Sequence, residues 1–181
     1  MIFLREIFAH LCGLQHVWTL AGVTLPFCQR CTGLYVGSAF AGISILAFRL
    51  RPDRFQYWLH GAFLLLMIPY GFHLVPQGPI LRTSTGFLFA FGLVYYLSLN
   101  PLTAWNFWKP TTVTRSAAYL LIIFAILSAL LVFLHFGNAV VAIALTVIGT
   151  AGLVMLGLLI LANLAVLPRT LHQISARTHP A

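Results

Sequence analysis

Two cysteines placed three residues apart carry the clearest chemical signal in this sequence. Cys28 and Cys31 enclose Gln29 and Arg30 at the predicted start of an apolar helix. A helix N-terminus and a neighbouring arginine both stabilise a thiolate, the form of cysteine that exchanges disulfides and binds metals. The pair therefore suits either thiol-disulfide exchange or half of a site for zinc or another soft transition metal. A structural interpretation is also open, in which the cysteines act as small apolar residues or form a simple disulfide.

Other residues could complete a metal site around this pair. Cys12 lies upstream and would supply a third sulfur, and a histidine would supply a fourth ligand. His10, His16 and His73 are the candidates, and His135 is predicted to lie at the same membrane boundary. His73 is favoured because nearby proline and glycine residues loosen the helix around it and expose its backbone. A lone histidine at a helix end can equally be an interfacial hydrogen-bonding residue.

Two arginines are predicted to accompany this site. Arg30 would offset thiolate charge, and Arg82 is predicted to lie in a short loop beside possible helix N-caps at residues 83–85. Arg82 could hold a carboxylate, a phosphate headgroup or a quinone carbonyl, or it could simply anchor the chain among lipid headgroups. In a redox protein, Cys28 and Cys31 would cycle between dithiol and disulfide and pass electrons to Cys12 or to a quinone. The sequence leaves open whether the protein is an enzyme.

The composition places these residues in a membrane protein. Of 181 residues, 61% are hydrophobic and 7% are charged, and the mean hydropathy is +0.98. Soluble domains carry about 25% charged residues, so an ordinary cytosolic enzyme, a disordered chain and a disulfide-rich secreted miniprotein are excluded. Glu6 and Asp53 are the only acidic residues. A carboxylate-based proton relay within the membrane is therefore not expected.

The apolar runs predict an all-α integral membrane protein with about five transmembrane helices. A helix needs about 20 residues to cross the hydrocarbon core. The N-terminal part is predicted to form an interfacial or re-entrant helix over Ile2–Gly13 and an irregular loop to Phe27, with a sixth span over 7–27 as the alternative. The resulting organisation is an N-terminal Cys/His segment over 1–31, a helical bundle over 32–167 and a tail over 168–181. The five predicted spans are Thr32–Phe48, Tyr57–Val75, Thr85–Leu102, Ser116–Phe136 and Asn138–Leu167.

The distribution of basic residues predicts the orientation. Five crossings place seven lysines and arginines on one face and three on the other. The richer face is expected in the cytoplasm of a bacterial inner membrane, with the C-terminal tail, and the cysteine loop outside. The net charge of +8 is thus interpreted as a topology signal, with no nucleic-acid partner expected. Gly33, Gly37 and Ala41 form a small-residue stripe on the first span, which predicts close approach of another helix, of a partner protein or of a second copy. A third interpretation of the chain is therefore a non-catalytic subunit of a membrane protein complex that docks through this stripe.

A longer motif around the cysteines resembles a known family. The stretch from Leu25 to Gly37, LPFCQRCTGLYVG, is similar to the LPVCxRCTGxYxG signature of bacterial and archaeal membrane proteins catalogued as domain of unknown function 2085. The segment 82–86 resembles the later Arg-x-x-Thr-Gly motif of that family, and Cys12 matches an upstream cysteine. The resemblance implies a polytopic membrane fold and a cysteine-centred site, and no particular reaction. Tyr70 stands where the family commonly has an acidic residue.

Overall fold

The architecture is a helical bundle capped by a small β-hairpin. This computed structural model describes residues 16–49, 52–71, 74–104, 107–108 and 113–178, with side chains up to residue 166. The predicted all-α membrane fold is confirmed, and the hairpin is its one addition in the described part of the chain. The elements, in chain order, are β1 (Val17–Leu20), β2 (Val23–Cys28), α1 (Gln29–Phe48), α2 (Arg54–Leu65), α3 (Met67–Gly71), α4 (Pro79–Ala104), α5 (Val113–Phe136) and α6 (Ala139–Thr178).

Four of the described helices are long and apolar enough to cross a membrane on their own. They expose many large apolar side chains, as expected where lipid rather than water surrounds a protein. α4 starts six residues before the predicted Thr85, because a proline at the first helical position needs no amide partner and already has a helical φ. Arg82 therefore lies within a helix rather than in the predicted loop. The four spans are Gln29–Phe48, Pro79–Thr103, Val113–Phe136 and Ala139–Val166.

The second predicted span is present as two shorter helices, α2 and α3. Pro69 lies four residues after Leu65, so its ring removes a hydrogen bond and crowds the carbonyl at which α2 ends. α2 faces its polar residues inward: Gln56 and His60 are buried, whereas Trp58 is 71% exposed. A helix that buries polar residues and exposes an indole is suited to a lipid surface.

The α2–α3 pair returns the chain along the length of α1. Asp53 caps α2 five residues after α1 ends, and the carbonyl of Tyr70 in α3 lies against Arg30 at the start of α1. The bundle thus has two ends. The cysteine end is where α1, α4 and α6 begin and α3 and α5 finish. The His60 end is where α2 and α5 begin and α1 and α4 finish.

Residues 17–28 form an antiparallel hairpin, so the predicted irregular loop and the alternative sixth span over 7–27 are both wrong there. Ala21 and Gly22 have φ angles of 46° and 82°, which gives the two-residue turn with positive φ that suits the twist of paired strands. Leu25 and Phe27 are buried among the helices. The predicted helix over Ile2–Gly13 lies outside the described residues.

The small-residue stripe of α1 packs inside the chain. A Cβ atom on Gly33 would collide with the carbonyl oxygen of Thr83, and one on Gly86 would collide with the carbonyl oxygen of Arg30. A Cβ on Gly37 would lie 3.0 Å from that of Ala90, and Ala41 is fully buried. The prediction of close helix approach is confirmed. The stripe is covered by α4, however, so it is not the docking surface for a partner or second copy that the sequence suggested.

The hairpin also accounts for the length of α6. The apolar stretch 139–166 rises by about 42 Å, which exceeds a hydrocarbon core of about 30 Å. Phe27 packs on Gly149 and Leu20 approaches Gly137, so the hairpin covers the first part of α6. α6 continues to Thr178, into the segment predicted as a tail.

Candidate thiol site at the cysteine end

The cysteine pair lies where β2 passes into α1. Cys28 is the N-cap of α1, and its Sγ accepts a hydrogen bond from the backbone N–H of Cys31 at 3.4 Å. Its extended backbone, with φ −65° and ψ 162°, turns the side chain over the first helical turn. Both thiols are half-buried. The amide and the helix dipole both favour negative charge on this sulfur, as predicted for a pair at a helix start.

Arg30 connects the start of α1 to the segment between α3 and α4. Its Nη2 donates to the carbonyl of Tyr70 at 2.7 Å and to Oε1 of Gln77 at 2.8 Å. Gln77 in turn donates to the same Tyr70 carbonyl at 2.5 Å. The Nε atom of Arg30 is buried and has no hydrogen-bond partner within the described ranges. The arginine therefore holds this segment through two neutral acceptors, which do not offset its positive charge. That charge belongs to a residue that lies between Cys28 and Cys31 in the sequence.

Thr83 joins three elements around the same helix start. It is fully buried, and its hydroxyl lies 3.1 Å from the carbonyl of Gln29 and 3.0 Å from that of Pro79. The indole N–H of Trp18 donates to this hydroxyl at 3.0 Å. Thr83 is thus inside α4 and links the hairpin, α1 and α4, rather than serving as an N-cap as predicted. Sequence reasoning missed this role because Trp18 lies 65 residues away.

Positive charge at this end has no carboxylate partner among the described residues. Arg82, in the first turn of α4, has a buried Nε atom to which no described residue offers a hydrogen bond. Of the two acidic residues, Asp53 lies at the His60 end, where it caps α2, and Glu6 lies outside the described residues. Buried cationic atoms need a countercharge or acceptors. The cysteine end is therefore suited to an anionic group.

Of the histidines predicted at this membrane boundary, the structure describes His16 and His135. His16 is exposed, and its carbonyl accepts from the backbone N–H of Gln29 at 2.7 Å, so it lies beside the start of α1. His135 is exposed in the last turn of α5, with its ring against Phe136. Three predicted ligands lie outside the described residues, namely His10, Cys12 and His73. Within the described ranges, no three metal-binding side chains come together.

The His60 end holds a polar cluster that the sequence did not reveal. His60 is fully buried, and its Nδ1 lies 2.8 Å from the carbonyl of Gln56. Because a carbonyl only accepts, Nδ1 carries the proton and Nε2 accepts from the hydroxyl of Tyr119, 2.9 Å away. The ring of Tyr95 stacks on that of His60 at 4.0 Å. Gln56 donates to Ser116 at 3.4 Å, so the cluster ties α2 to α4 and α5.

A comparison with known families agrees with the motif. Residues 13–96 match the model of a family described as predicted membrane protein (DUF2085), which confirms the resemblance seen in the sequence around Cys28 and Cys31. The match covers the hairpin, α1, α2, α3 and most of α4, and it leaves α5 and α6 outside. No curated protein and no solved structure matches the chain.

Proposed function

We propose that this membrane protein binds a soft metal ion, such as zinc, at the cysteine end of the bundle. The main support is the N-cap geometry of Cys28. Its Sγ accepts a hydrogen bond from the backbone N–H of Cys31, which favours the thiolate form. Cys28 and Cys31 would supply two sulfur ligands from one helical turn. Cys12 would supply the third, and His73, His16 or His10 the fourth.

Chain connectivity supports this ligand set. Cys12 is four residues from His16, whose carbonyl bonds to Gln29, so the Cα atoms of Cys12 and His16 lie within about 14 Å. His73 is two residues from Gly71, the residue after Tyr70, so the Cα atoms of His73 and Gly71 lie within about 7 Å. Both candidate ligands are thus tethered to the cysteine end by short chain segments.

The charge balance also supports a thiolate centre. A divalent ion with three thiolates and one neutral histidine carries a single net negative charge. The cysteine end supplies positive charge from Arg30 and Arg82, each with a buried Nε atom that lacks an acceptor in the described part of the chain. We expect these arginines to raise metal affinity by offsetting the thiolate charge rather than by binding the metal.

Metal analysis of the purified protein tests this function. We expect about one zinc-like ion per chain, and its loss in Cys28→Ser or Cys31→Ser. His135→Ala is the matched control, because His135 lies at the same end, is exposed and is not a proposed ligand. A metal-free protein whose three thiols are all rapidly alkylated without denaturant would contradict the proposal.

Localisation at the outer face of a bacterial inner membrane is part of the proposal. The count over five predicted crossings assigns Arg5, Arg30 and Arg82 to the face of the cysteine end and seven basic residues to the other face. The positive-inside rule then places the cysteine end outside and the C-terminus in the cytoplasm. In whole cells stripped of metal and given access through the outer membrane, a membrane-impermeant maleimide is expected to label Cys31. Labelling only after the inner membrane is broken would reverse the orientation.

A second candidate function is thiol-disulfide exchange, favoured by the same N-cap thiol. Cys28 and Cys31 would oxidise to a disulfide and release two electrons and two protons, which a quinone would accept to become a quinol. Replacing Cys31 with Ser should then trap a mixed disulfide at Cys28. The two functions separate cleanly: bound metal with no trapped disulfide supports the first, and the reverse result supports the second.

A further inference from the structure

Two buried polar atoms at the His60 end lack hydrogen-bond partners among the residues that the structure describes. They are Oε1 of Gln56 and the hydroxyl of Tyr95. Both residues are almost completely inaccessible, with exposures of 1% for Gln56 and 3% for Tyr95. Leaving such groups unpaired is costly, and more so inside a membrane protein, where solvent cannot reach them.

Both side chains line one small cavity. Its volume is about 10 Å³, which is close to the space needed for one water molecule. Ser44 of α1 adds a further hydroxyl to the lining, and aromatic rings form much of the remaining wall. The lining residues are Ser44, Ile45, Phe48, Gln56, Tyr95, Trp108 and Tyr119.

We propose that this cavity is a binding site for a single water molecule that bridges Gln56 and Tyr95. An amide oxygen only accepts, so the ligand must donate to Gln56 Oε1, whereas the Tyr95 hydroxyl can donate to the ligand. The ligand must therefore both donate and accept, as a water oxygen does, and the cavity has room for one oxygen atom. A carbonyl ligand would accept from Tyr95 and leave Gln56 Oε1 unpaired.

The bound water completes the polar network that holds α2 in the bundle. Two of the three residues that α2 buries, Gln56 and His60, are polar, so hydrogen bonds contribute to fixing its position. The water links Gln56 on α2 to Tyr95 on α4, in addition to the direct bonds from His60 to Tyr119 and from Gln56 to Ser116. This site is independent of the proposed metal centre.

The direction in which one substitution changes the Tm tests the water site. Tyr95→Phe keeps the ring that stacks on His60 and removes only the hydroxyl. If water bridges the two residues, the purified protein in detergent should lose about 2–4 °C in Tm, because the water loses a partner. If the hydroxyl is simply unpaired, its removal should raise the Tm, and that result would overturn the proposal. Tyr96→Phe, one residue along, gives the scale for losing one hydroxyl hydrogen bond between α4 and α2, because the Tyr96 hydroxyl donates to the Tyr57 carbonyl at 2.8 Å.

A double substitution provides a second readout. Gln56→Leu and Tyr95→Phe should show Tm shifts that are smaller together than their sum, because both act on one water. Additive shifts would contradict a bridge. If either variant fails to fold, an experimental structure of the unchanged protein that resolves ordered water decides the question. An oxygen within hydrogen-bond distance of both atoms is expected, and an empty cavity would overturn the proposal.

Discussion

The two ends of the bundle use polar residues in opposite ways. At the His60 end, both ring nitrogens of His60 are engaged and the ring is fully buried. At the cysteine end, Cys28 and Cys31 are half-buried on the first turn of a helix, beside an exposed His16 and two arginines that no carboxylate in the described residues neutralises. The first arrangement consumes the lone pairs that a metal would need, and the second positions ligands near a surface. A structural polar cluster and a candidate site can therefore contain the same residue types. They differ in whether the lone pairs of those residues are available to a metal.

The largest effect is expected where α1 and α4 touch, because that contact positions both ends. Gly33→Leu places a side chain against the Thr83 carbonyl, with which even a Cβ collides. Overpacking of this kind should cost about 3 kcal/mol or more and abolish recovery of folded protein. Gly157→Leu is the matched control, since nothing lies within 4 Å of a Cβ at that position. Equal yields of the two variants in size-exclusion chromatography would contradict this packing.

The next largest effect is expected at the His60 end, where a substitution should lower stability without changing the metal content of the cysteine end. Tyr119→Phe removes the donor to His60 Nε2 and leaves a buried acceptor unpaired, at a cost of about 1–3 kcal/mol in unfolding free energy. Metal content should stay unchanged, because the cluster belongs to the opposite end. Denaturant titration and metal analysis of the same sample check both points. A loss of metal without a loss of stability would contradict the separation.

A smaller effect should link stability to the metal site. Thr83→Val leaves the indole N–H of Trp18 and the carbonyl of Gln29 without their shared partner. We expect a loss of about 1.5 kcal/mol, with weaker metal retention, since the start of α1 loses its attachment to α4. Chelator competition measures the second quantity. Retention equal to that of the unchanged protein would show that this attachment does not position the thiols.

The smallest effect concerns the hairpin turn. Gly22 has a φ of +82° and open space around a Cβ, so Gly22→Ala meets backbone strain alone. The expected loss of stability is about 1 kcal/mol. Gly78→Ala, which also has open space and no positive φ, should be nearly neutral in the same thermal denaturation. Equal losses in the two variants would contradict the turn geometry.

Much of the fold follows from the sequence because apolar runs and breakers act locally. The four long helices match predicted spans, and Pro69 marks the break between α2 and α3. The sequence also contains a hairpin signal. The apolar residues Val23, Leu25 and Phe27 stand at alternate positions, and Gly22 directly precedes them at the turn. It was missed because strands were not expected in so apolar a chain.

The candidate site was only partly predictable. The placement of Cys28 and Cys31 at a helix start is confirmed, since it depends on local chain direction. Contacts between distant positions were not predictable, such as those of His60 with Tyr119 and of Trp18 with Thr83. They depend on how α2, α4, α5 and the hairpin meet, which periodicity in one helix does not encode.

X-ray absorption at the metal edge of the purified protein identifies the atoms bound to the metal, and so decides whether thiolates hold it. A thiolate centre should show about three sulfur neighbours near 2.3 Å and one nitrogen near 2.0–2.1 Å. In Cys28→Ser, the sulfur count should fall or the metal should be lost. A metal bound only by oxygen and nitrogen, or no metal in the unchanged protein, would contradict a thiolate centre at the cysteine end.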